Sequence, residues 1–373
     1  MSSLQELRSF DYSLPLARAR TIPSTWYHDP EIYAAEKKAI FASTWQMVGR
    51  ASQVAETGSY ITAEIASEPI LVIRDDKGVL QAFFNVCRHK ATVLLGDKCG
   101  KVSKLRCRYH GWTYDLTGKL KGTPEFDGVQ DFCKEDNGLV EIAVATWGPM
   151  VWVHLDPPKQ SLTEFLAPLP EWMQGRGLEK LKFSGSREYE LNCNWKVYVD
   201  NYLDGGYHVN TVHPGLAGVL DYSQYKTTTN GQTSLQSSPL KANTDDAATT
   251  RTRTGDLAAY WWVMPNFMLN LYEGVMDTNL VLPLGPGKCK VIFDFYFANT
   301  EGPEAEQYIK ESIAVAHQVQ VEDMGICEEV QRGLQSSSYR TGRFSVKREI
   351  AGYYFHQLLG RRLVAAHGLA EQL

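Results

Sequence analysis

Two short segments, each holding one cysteine and one histidine, constrain this chain more than any other feature. The first is Cys87-Arg-His89, and the second, 17 residues further on, is Cys107-Arg-Tyr-His110. Two loops that each offer a thiolate and an imidazole can hold one binuclear iron–sulfur cluster. A zinc site is the alternative, but zinc fingers usually keep cysteine with cysteine and histidine with histidine. The mixed pairs therefore favour a 2Fe–2S cluster.

Composition excludes several other classes of protein. Lys and Arg number 38 against 43 Asp and Glu, a net charge of -5, so nucleic-acid binding is not expected. No apolar run approaches the roughly 20 residues that span a bilayer, so no membrane insertion is expected either. Seven cysteines spread over 373 residues do not form the pattern of a disulfide scaffold. We interpret them as belonging to a reducing compartment.

The chain predicts an α+β protein with an all-β domain inserted into it. Between about residues 46 and 155, short Val-, Ile- and Phe-rich runs alternate with turn residues, which is typical of short strands. Residues 303–334 predict a long helix opened by Pro303. Residues 226–256, rich in Thr, Ser, Asn and Asp, predict a loop or a lid.

Five segments resemble the catalytic subunit of the Rieske non-haem iron oxygenases, most closely the choline monooxygenases. They are NVCRHKA, CRYHGWTYDLTGKL, NWKVYVDNYLDGGYHV, MDTNLVLPLGPGKCKVIFDF and VQVEDMGICEEVQRGL. The resemblance implies a helical segment of the catalytic domain at 1–45, a Rieske 2Fe–2S domain at 46–156, and a helix-grip catalytic domain with a mononuclear Fe(II) at 157–373. It also implies a homotrimer.

Two histidines are candidates for the second metal site. An Fe(II) that activates oxygen is held by two histidines and one carboxylate, with positions left open. His208 and His213 are five residues apart, and on a regular helix their side chains would diverge by about 140°. Both can face one metal only if the helix widens or ends between them. Pro214 disfavours helical dihedrals at His213, so we predict an end there.

The carboxylate ligand is predicted in the long helix. An apolar stripe runs along it through Val315, Val319, Ile326 and Val330. Asp323 falls inside this stripe, whereas Glu322 points about 100° away. A carboxylate on a buried face needs a partner or a metal. The resemblance places the third iron ligand at the same residue, Asp323.

The resemblance also implies a carboxylate that carries electrons from the cluster of one subunit to the iron of its neighbour. The most common family pattern puts this acid three residues before the first iron histidine, and here that position is Gly205. Asp204 precedes His208 by four residues, and Asp200 lies another turn back. Residues 200, 204 and 208 would share one face of a continuous helix. We favour Asp204 as the bridging acid and keep Asp200 as the alternative.

Four aromatic residues are candidates for a substrate cage: Tyr260, Trp262, Phe267 and Tyr272. A quaternary ammonium is recognised by aromatic faces and nearby carboxylates, because its methyl groups form no ordinary hydrogen bonds. Strand alternation would put Tyr260 and Trp262 on one face. Packing in the hydrophobic core is the alternative for each of the four rings.

The resemblance, together with the aromatic segment, implies a monooxygenase that converts choline to betaine aldehyde. N-demethylation of a betaine or hydroxylation of an arene is the alternative, and an electron carrier or a zinc protein would belong to another class. No G-x-G-x-x-G motif follows a strand, so electrons would come from a separate ferredoxin or reductase. The expected location is the cytoplasm, or the chloroplast stroma if the source is a plant or an alga.

Overall fold

The chain folds into two compact units, the first formed by residues 37–165 and the second by residues that precede and follow it in sequence. The computed structural model describes residues 6–7, 9–241 and 248–367. One unit thus interrupts the other along the chain, and the predicted fold class, an all-β domain within an α+β domain, is confirmed.

The inserted unit, all of whose residues are described, is built from three antiparallel sheets of short strands. Their strand orders are β4-β3-β2-β5, β1-β10-β9 and β6-β7-β8. The strands are β1 (Gln46–Arg50), β2 (Ser59–Ile65), β3 (Glu68–Arg74), β4 (Leu80–Phe84), β5 (Cys99–Lys101), β6 (Leu105–Arg106), β7 (Thr113–Tyr114), β8 (Leu120–Gly122), β9 (Ala143–Trp147) and β10 (Met150–His154). Aspartates close its turns: Asp75 accepts backbone N–H bonds from Lys77 and Val79 at 2.9 and 2.8 Å.

The second unit is organised around an antiparallel sheet with the order β11-β17-β16-β15-β14-β13-β12. Its strands are β11 (Lys182–Leu191), β12 (Lys226–Asn230), β13 (Thr233–Pro239), β14 (Leu257–Val263), β15 (Phe267–Tyr272), β16 (Val275–Gly285) and β17 (Lys288–Phe297).

The interpretation of residues 226–256 as a loop or lid is wrong for most of its length, because the segment contributes β12, β13 and a short helix at Ala248–Thr252. Two small polar side chains of β13 are buried with hydrogen-bond partners, which helps a Ser- and Thr-rich strand to lie inside a sheet. Thr233 Oγ1 donates to the carbonyl of Ala167 at 3.1 Å, and Ser238 Oγ donates to that of Asp221 at 3.1 Å. Residues 242–247 of this segment lie outside the described residues.

Helices complete the fold. They are α1 (Pro30–Glu36), α2 (Leu162–Leu166), α3 (Leu169–Trp172), α4 (Trp195–Tyr202), α5 (Val209–Val212), α6 (Pro214–Val219), α7 (Ala248–Thr252), α8 (Pro303–Leu334) and α9 (Ile350–Ala366). The long helix α8 has the predicted bounds, but its buried stripe is shifted. Ala316, Gln320 and Cys327 are buried, whereas Val330 is 45% exposed. Among the described residues, no helix is long and apolar enough to cross a lipid bilayer.

Candidate metal centres and substrate cavity

The two Cys/His loops of the inserted unit have the same backbone geometry. In the first, the N–H of Ala91 donates to the carbonyl of Cys87 at 3.0 Å, and in the second the N–H of Gly111 donates to that of Cys107 at 3.0 Å. The donors have positive φ angles, 57° at Ala91 and 74° at Gly111. Each loop therefore turns back on its own cysteine, and both cysteines belong to one buried cluster of side chains.

The histidines of these loops lie together at one edge of that cluster. The ring centroids of His89 and His110 are 4.6 Å apart, and His89 stacks on Trp112 at 4.8 Å. The Nδ1 atom of His89 is buried and has no hydrogen-bond partner among the residues that the structure describes. A buried nitrogen without a partner fits a metal ligand. Cys87 and Cys107, at 2% and 3% exposure, add two thiols, so this donor set fits a 2Fe–2S cluster with mixed ligands.

The surroundings of Cys107 favour a thiolate. Burial opposes ionisation of Cys107, but the backbone N–H groups of Tyr109 and His110 outweigh it and lower the pKa of the thiol. The hydroxyl of Tyr114 lies 3.4 Å from Cys87 Sγ. Burial, reinforced by that thiol, raises the pKa of Tyr114, so its hydroxyl remains a donor for the Cys87 sulfur. No local pattern in the sequence indicated this role of Tyr114.

Replacing His110 by cysteine should keep an iron–sulfur cluster but lower its reduction potential by roughly 100 mV or more, because a thiolate stabilises the oxidised state more than an imidazole does. Potentiometric titration followed by visible spectroscopy would measure the shift. Tyr109→Phe, a change in the adjacent exposed ring, is the matched control and should leave the potential near that of the wild type. An unchanged potential and spectrum in His110→Cys would exclude His110 as a ligand.

The two histidines of the second unit lie at either end of the short helix α5, as the predicted interruption of the helix requires. His208 immediately precedes α5, and His213 follows it with φ -117° and ψ 76°, outside the helical region and directly before Pro214. Since α4 already ends at Tyr202, the prediction that residues 200, 204 and 208 share one helical face is wrong.

Gly205 explains why the acidic residue stands one position earlier than in the common family pattern. Its φ is 71°, and a Cβ atom there would come within 1.9 Å of the carbonyl oxygen of Arg348. A side chain cannot be accommodated at that distance, so only glycine fits. The acid preceding His208 is therefore carried by Asp204.

Three ligand atoms converge in this unit. His208 Nε2 and His213 Nε2 are 3.0 Å apart, and Asp323 Oδ1 lies 3.1 Å from the second and 3.6 Å from the first. Bonds of about 2.1 Å that meet at right angles would put neighbouring ligand atoms about 3.0 Å apart. The three side chains thus fit a metal that would be held on one face by two histidines and one carboxylate. Asn201 Nδ2 donates to Asp323 Oδ1 at 2.7 Å and steadies it.

Two further carboxylates hold the outer nitrogens of the histidines. Asp204 contacts Nδ1 of His208, and Glu322 Oε2 lies 2.7 Å from Nδ1 of His213. Both contacts orient the Nε2 atoms toward Asp323. Burial lowers the pKa of His213, but Asp323 and Glu322 outweigh it, so the site favours a cation. Glu322, predicted to point about 100° away from the apolar stripe, nevertheless reaches the site through its contact with His213.

Asp200, the alternative bridging acid, is engaged elsewhere within the same unit. Its Oδ2 accepts a hydrogen bond from Tyr27 at 2.5 Å, and its Oδ1 lies 2.8 Å from His356 Nε2. Asp204, by contrast, touches an iron-ligand candidate directly. This arrangement favours Asp204 over Asp200 as the bridge.

A cavity rich in tyrosine adjoins the three ligand side chains. Its aromatic lining consists of Tyr198, Tyr202, Tyr225, Tyr260, Tyr272 and Phe293. Tyr260 and Tyr272 were expected there, and their hydroxyls are hydrogen-bonded to each other at 2.8 Å. Tyr225 was missed, because it follows a 3₁₀ turn at Tyr222–Gln224 for which the sequence analysis made no prediction.

Trp262 and Phe267 are not part of that lining, and their assignment to the cavity is corrected. Trp262 does share a sheet face with Tyr260, but its ring packs against Phe355 of α9 at 5.4 Å. Phe267 pairs with Val263 and Leu280, on the opposite face. Both rings belong to the core.

Charged and amide side chains form a polar patch in the same cavity. Tyr202 donates from its hydroxyl to Asn270 Oδ1 at 2.8 Å, and Asn270 Nδ2 donates to Asp277 Oδ2 at 2.7 Å. Arg253 also lines the cavity, and its Nη1 donates to Ser312 Oγ at 2.7 Å. The sequence analysis identified none of these residues, because they lie far apart along the chain.

Comparison with known proteins identifies two matching domains, one for each of the two donor sets. A model of the "Ring hydroxylating alpha subunit (catalytic domain)" matches residues 178–365, and one of the "Rieske [2Fe-2S] domain" matches residues 44–133. Chloroplastic choline monooxygenase of Arabidopsis thaliana is 40% identical over 95% of this chain and 85% of its own. The carnitine monooxygenase oxygenase subunit of Acinetobacter pittii is 30% identical over 98% of this chain and 100% of its own.

Solved structures resemble the whole chain as well. The quaternary ammonium Rieske monooxygenase CntA in complex with an inhibitor superposes with a TM-score of 0.84 at 29% identity, covering 95% of this chain and 98% of that one. The matched domains imply two cofactors, a Rieske 2Fe–2S cluster and a mononuclear iron, and the two donor sets fit them. The chain belongs to the Rieske non-haem iron oxygenases, the family of ring-hydroxylating alpha subunits.

Proposed function

We propose that this enzyme is a monooxygenase that hydroxylates a small quaternary ammonium compound, and that its substrate is choline. The observation that carries the proposal is the tyrosine-lined cavity with a buried carboxylate, Asp277, beside the three ligand side chains. Aromatic faces and a carboxylate are what a trimethylammonium group requires. The similarity to choline and carnitine monooxygenases supports the same substrate class.

The proposed reaction takes place at the alcohol carbon of choline. Choline, O2, two electrons and two protons give the hydrate of betaine aldehyde and one water, and the hydrate then loses water to give the aldehyde. The bound cluster would supply electrons one at a time, and the bound iron would activate O2. In this proposal Cys87, His89, Cys107 and His110 hold the cluster. His208, His213 and Asp323 hold the iron.

We further propose that a ferredoxin or a reductase delivers the electrons to a homotrimer, and that Asp204 joins the cluster of one subunit to the iron of the next. Its contact with His208 supports this role. The structure of a quaternary ammonium Rieske monooxygenase related to this chain was described with inter-subunit electron transfer. The proposed location is the cytoplasm, or the chloroplast stroma in a plant or alga, where chloroplastic relatives function.

Arg253 favours one second candidate, a zwitterionic substrate that carries a carboxylate as well as the ammonium group. Its guanidinium lines the cavity at 6% exposure and could pair with such a carboxylate. N-demethylation of a betaine would fit this arrangement. Hydroxylation of an arene fits less well, because two buried charged side chains disfavour a purely apolar ligand.

Binding to the holoenzyme should separate these candidates. Choline and its neutral isostere 3,3-dimethylbutanol have nearly the same shape, so a charge-sensing cavity should bind choline at least about tenfold more tightly. Isothermal titration calorimetry would measure both, with carnitine as the zwitterionic probe and betaine aldehyde as the product to detect. Tyr260→Leu should reduce the ratio between the dissociation constants of 3,3-dimethylbutanol and choline. Tyr189→Leu, which changes a residue outside the cavity, should leave this ratio unchanged.

Two results would contradict the choline proposal. Binding of 3,3-dimethylbutanol as tight as that of choline would exclude recognition of the positive charge. Tighter binding of carnitine than of choline, with turnover of carnitine, would favour the zwitterionic candidate and a role for Arg253.

A further inference from the structure

We propose that Asp277 is the counter-ion of the substrate's ammonium group and sets the preference of this cavity for a cation. The inference rests on the proposed function, since it assumes a quaternary ammonium substrate, and it names the residue that recognises the charge. Asp277 lies on β16 and is 4% exposed, with its side chain in the wall of the cavity.

The carboxylate of Asp277 has no ion-pair partner among the described residues. The hydrogen bond that it accepts comes from Asn270, which is a neutral amide. Arg253 lines the same cavity, but its guanidinium donates to Ser312 Oγ at 2.7 Å and to the carbonyl of Thr252 at 3.2 Å. Arg253 acts on Asp277 through its charge but forms its hydrogen bonds with other acceptors, so the Asp277 carboxylate remains available to a cationic ligand.

The other acids of the cavity are committed to the iron site. Asp204 contacts His208, and Asp323 lies within 3.6 Å of both histidines. Among the described carboxylates that line the cavity, Asp277 is therefore the one available to a substrate.

Strand register brings the carboxylate and the aromatic rings together. Asn270 pairs with Tyr260 on one side and with Asp277 on the other, so the three side chains point to the same face of the sheet. Tyr272 lies two residues beyond Asn270 on that face. A trimethylammonium group in the cavity would meet the rings and the carboxylate at once.

A buried carboxylate is costly unless a positive charge compensates it. Burial raises the pKa of Asp277, although Arg253 and the neighbouring amides partly oppose this. A bound cation would keep the Asp277 carboxylate ionised, whereas a neutral ligand would leave the free-energy cost of burying its charge unchanged. The carboxylate thus discriminates between ligands of the same shape by charge.

The test compares Asp277→Asn with the matched control Glu273→Gln in the holoenzyme. Asparagine keeps the size of the side chain and an oxygen for Asn270, and Glu273 is an exposed acid in the adjacent turn, outside the cavity. Calorimetry with choline and with 3,3-dimethylbutanol gives the two dissociation constants. We expect Asp277→Asn to weaken choline binding at least about tenfold while leaving the neutral isostere within about twofold. Glu273→Gln should change neither.

The cluster spectrum, iron content and Tm of each variant establish that it is folded and loaded. Should Asp277→Asn fail to fold, Asp277→Ser removes the same charge with a smaller side chain, and the same loss of preference is expected. An Asp277 variant that is folded and still prefers choline as the wild type does would overturn the inference and leave the proposed function standing. An equal loss in Glu273→Gln would also overturn it. If the wild type itself showed no preference for choline, the proposed function would fail, and the inference with it.

Discussion

Asp323→Ala is expected to abolish turnover and the binding of mononuclear iron while leaving the visible spectrum of the 2Fe–2S cluster intact. In the proposed iron site Asp323 supplies the oxygen that lies 3.1 Å from His213 Nε2, and two histidines alone would leave the iron without a charged ligand. The cluster ligands belong to the other compact unit and should be unaffected. Iron analysis, visible spectroscopy and oxygen consumption measure the three properties separately.

Glu322→Gln is the matched control for this prediction, because it changes the adjacent acid on the same helix. Glu322 contacts the outer nitrogen of His213, and loss of such a contact typically lowers metal affinity about 10- to 100-fold. Excess iron should therefore restore turnover in Glu322→Gln and not in Asp323→Ala. If Glu322→Gln lost its iron irreversibly and Asp323→Ala kept it, the assignment of Asp323 as the ligand would be wrong.

Asp204→Asn is expected to retain both metals and to lose turnover by about 100-fold or more. The substitution keeps the size of the side chain but removes the charge that holds Nδ1 of His208. In the proposed assembly the same carboxylate connects the iron to the cluster of a neighbouring subunit. Stopped-flow measurement should show a cluster that is reduced normally but is reoxidised slowly when substrate and O2 are present.

Asp200→Asn tests whether this effect belongs to one acid. Asp200 binds Tyr27 and His356, so its substitution should lower Tm while largely preserving the rate of cluster reoxidation. A wild-type rate in Asp204→Asn would exclude Asp204 as the bridge. The role would then pass to Asp200 if Asp200→Asn were slow, and to neither residue if both variants were fast.

The parts of the sites that the sequence predicted are those with a local origin. The spacing of the Cys/His pairs specifies two short loops, and Pro214 specifies a helix end at His213, so neither needed the tertiary fold. Helix α8 was predictable from its length and from Pro303. Its phase was predicted less well, because Gln320 and Cys327 occupy the buried side and an apolar stripe does not count them.

The residues that line the cavity could not be predicted from local sequence patterns, because their contacts join segments that are distant in sequence. Alternation assigned Trp262 to the correct face of β14, but only the packing of α9 shows that its ring is covered by Phe355. Asp277 and Arg253 line the same cavity from different elements. In the sequence, neither can be distinguished from the other charged residues of its segment. Sequence spacing therefore identified the candidate metal ligands, whereas it could not identify the polar residues that line the cavity.

The close approach of Gly205 to the carbonyl of Arg348 ties the residue type at position 205 to the course of the backbone just before α9. Exchanging Asp204 and Gly205 with each other would place a side chain at position 205. Its Cβ atom would lie 1.9 Å from the carbonyl oxygen of Arg348. A relative with its acid one position later must also carry the backbone before the last helix along a different course. The residues at positions 204 and 205 thus offer a criterion for dividing the family into lineages by sequence. The same criterion applies to the choice of donors when segments are exchanged between its members.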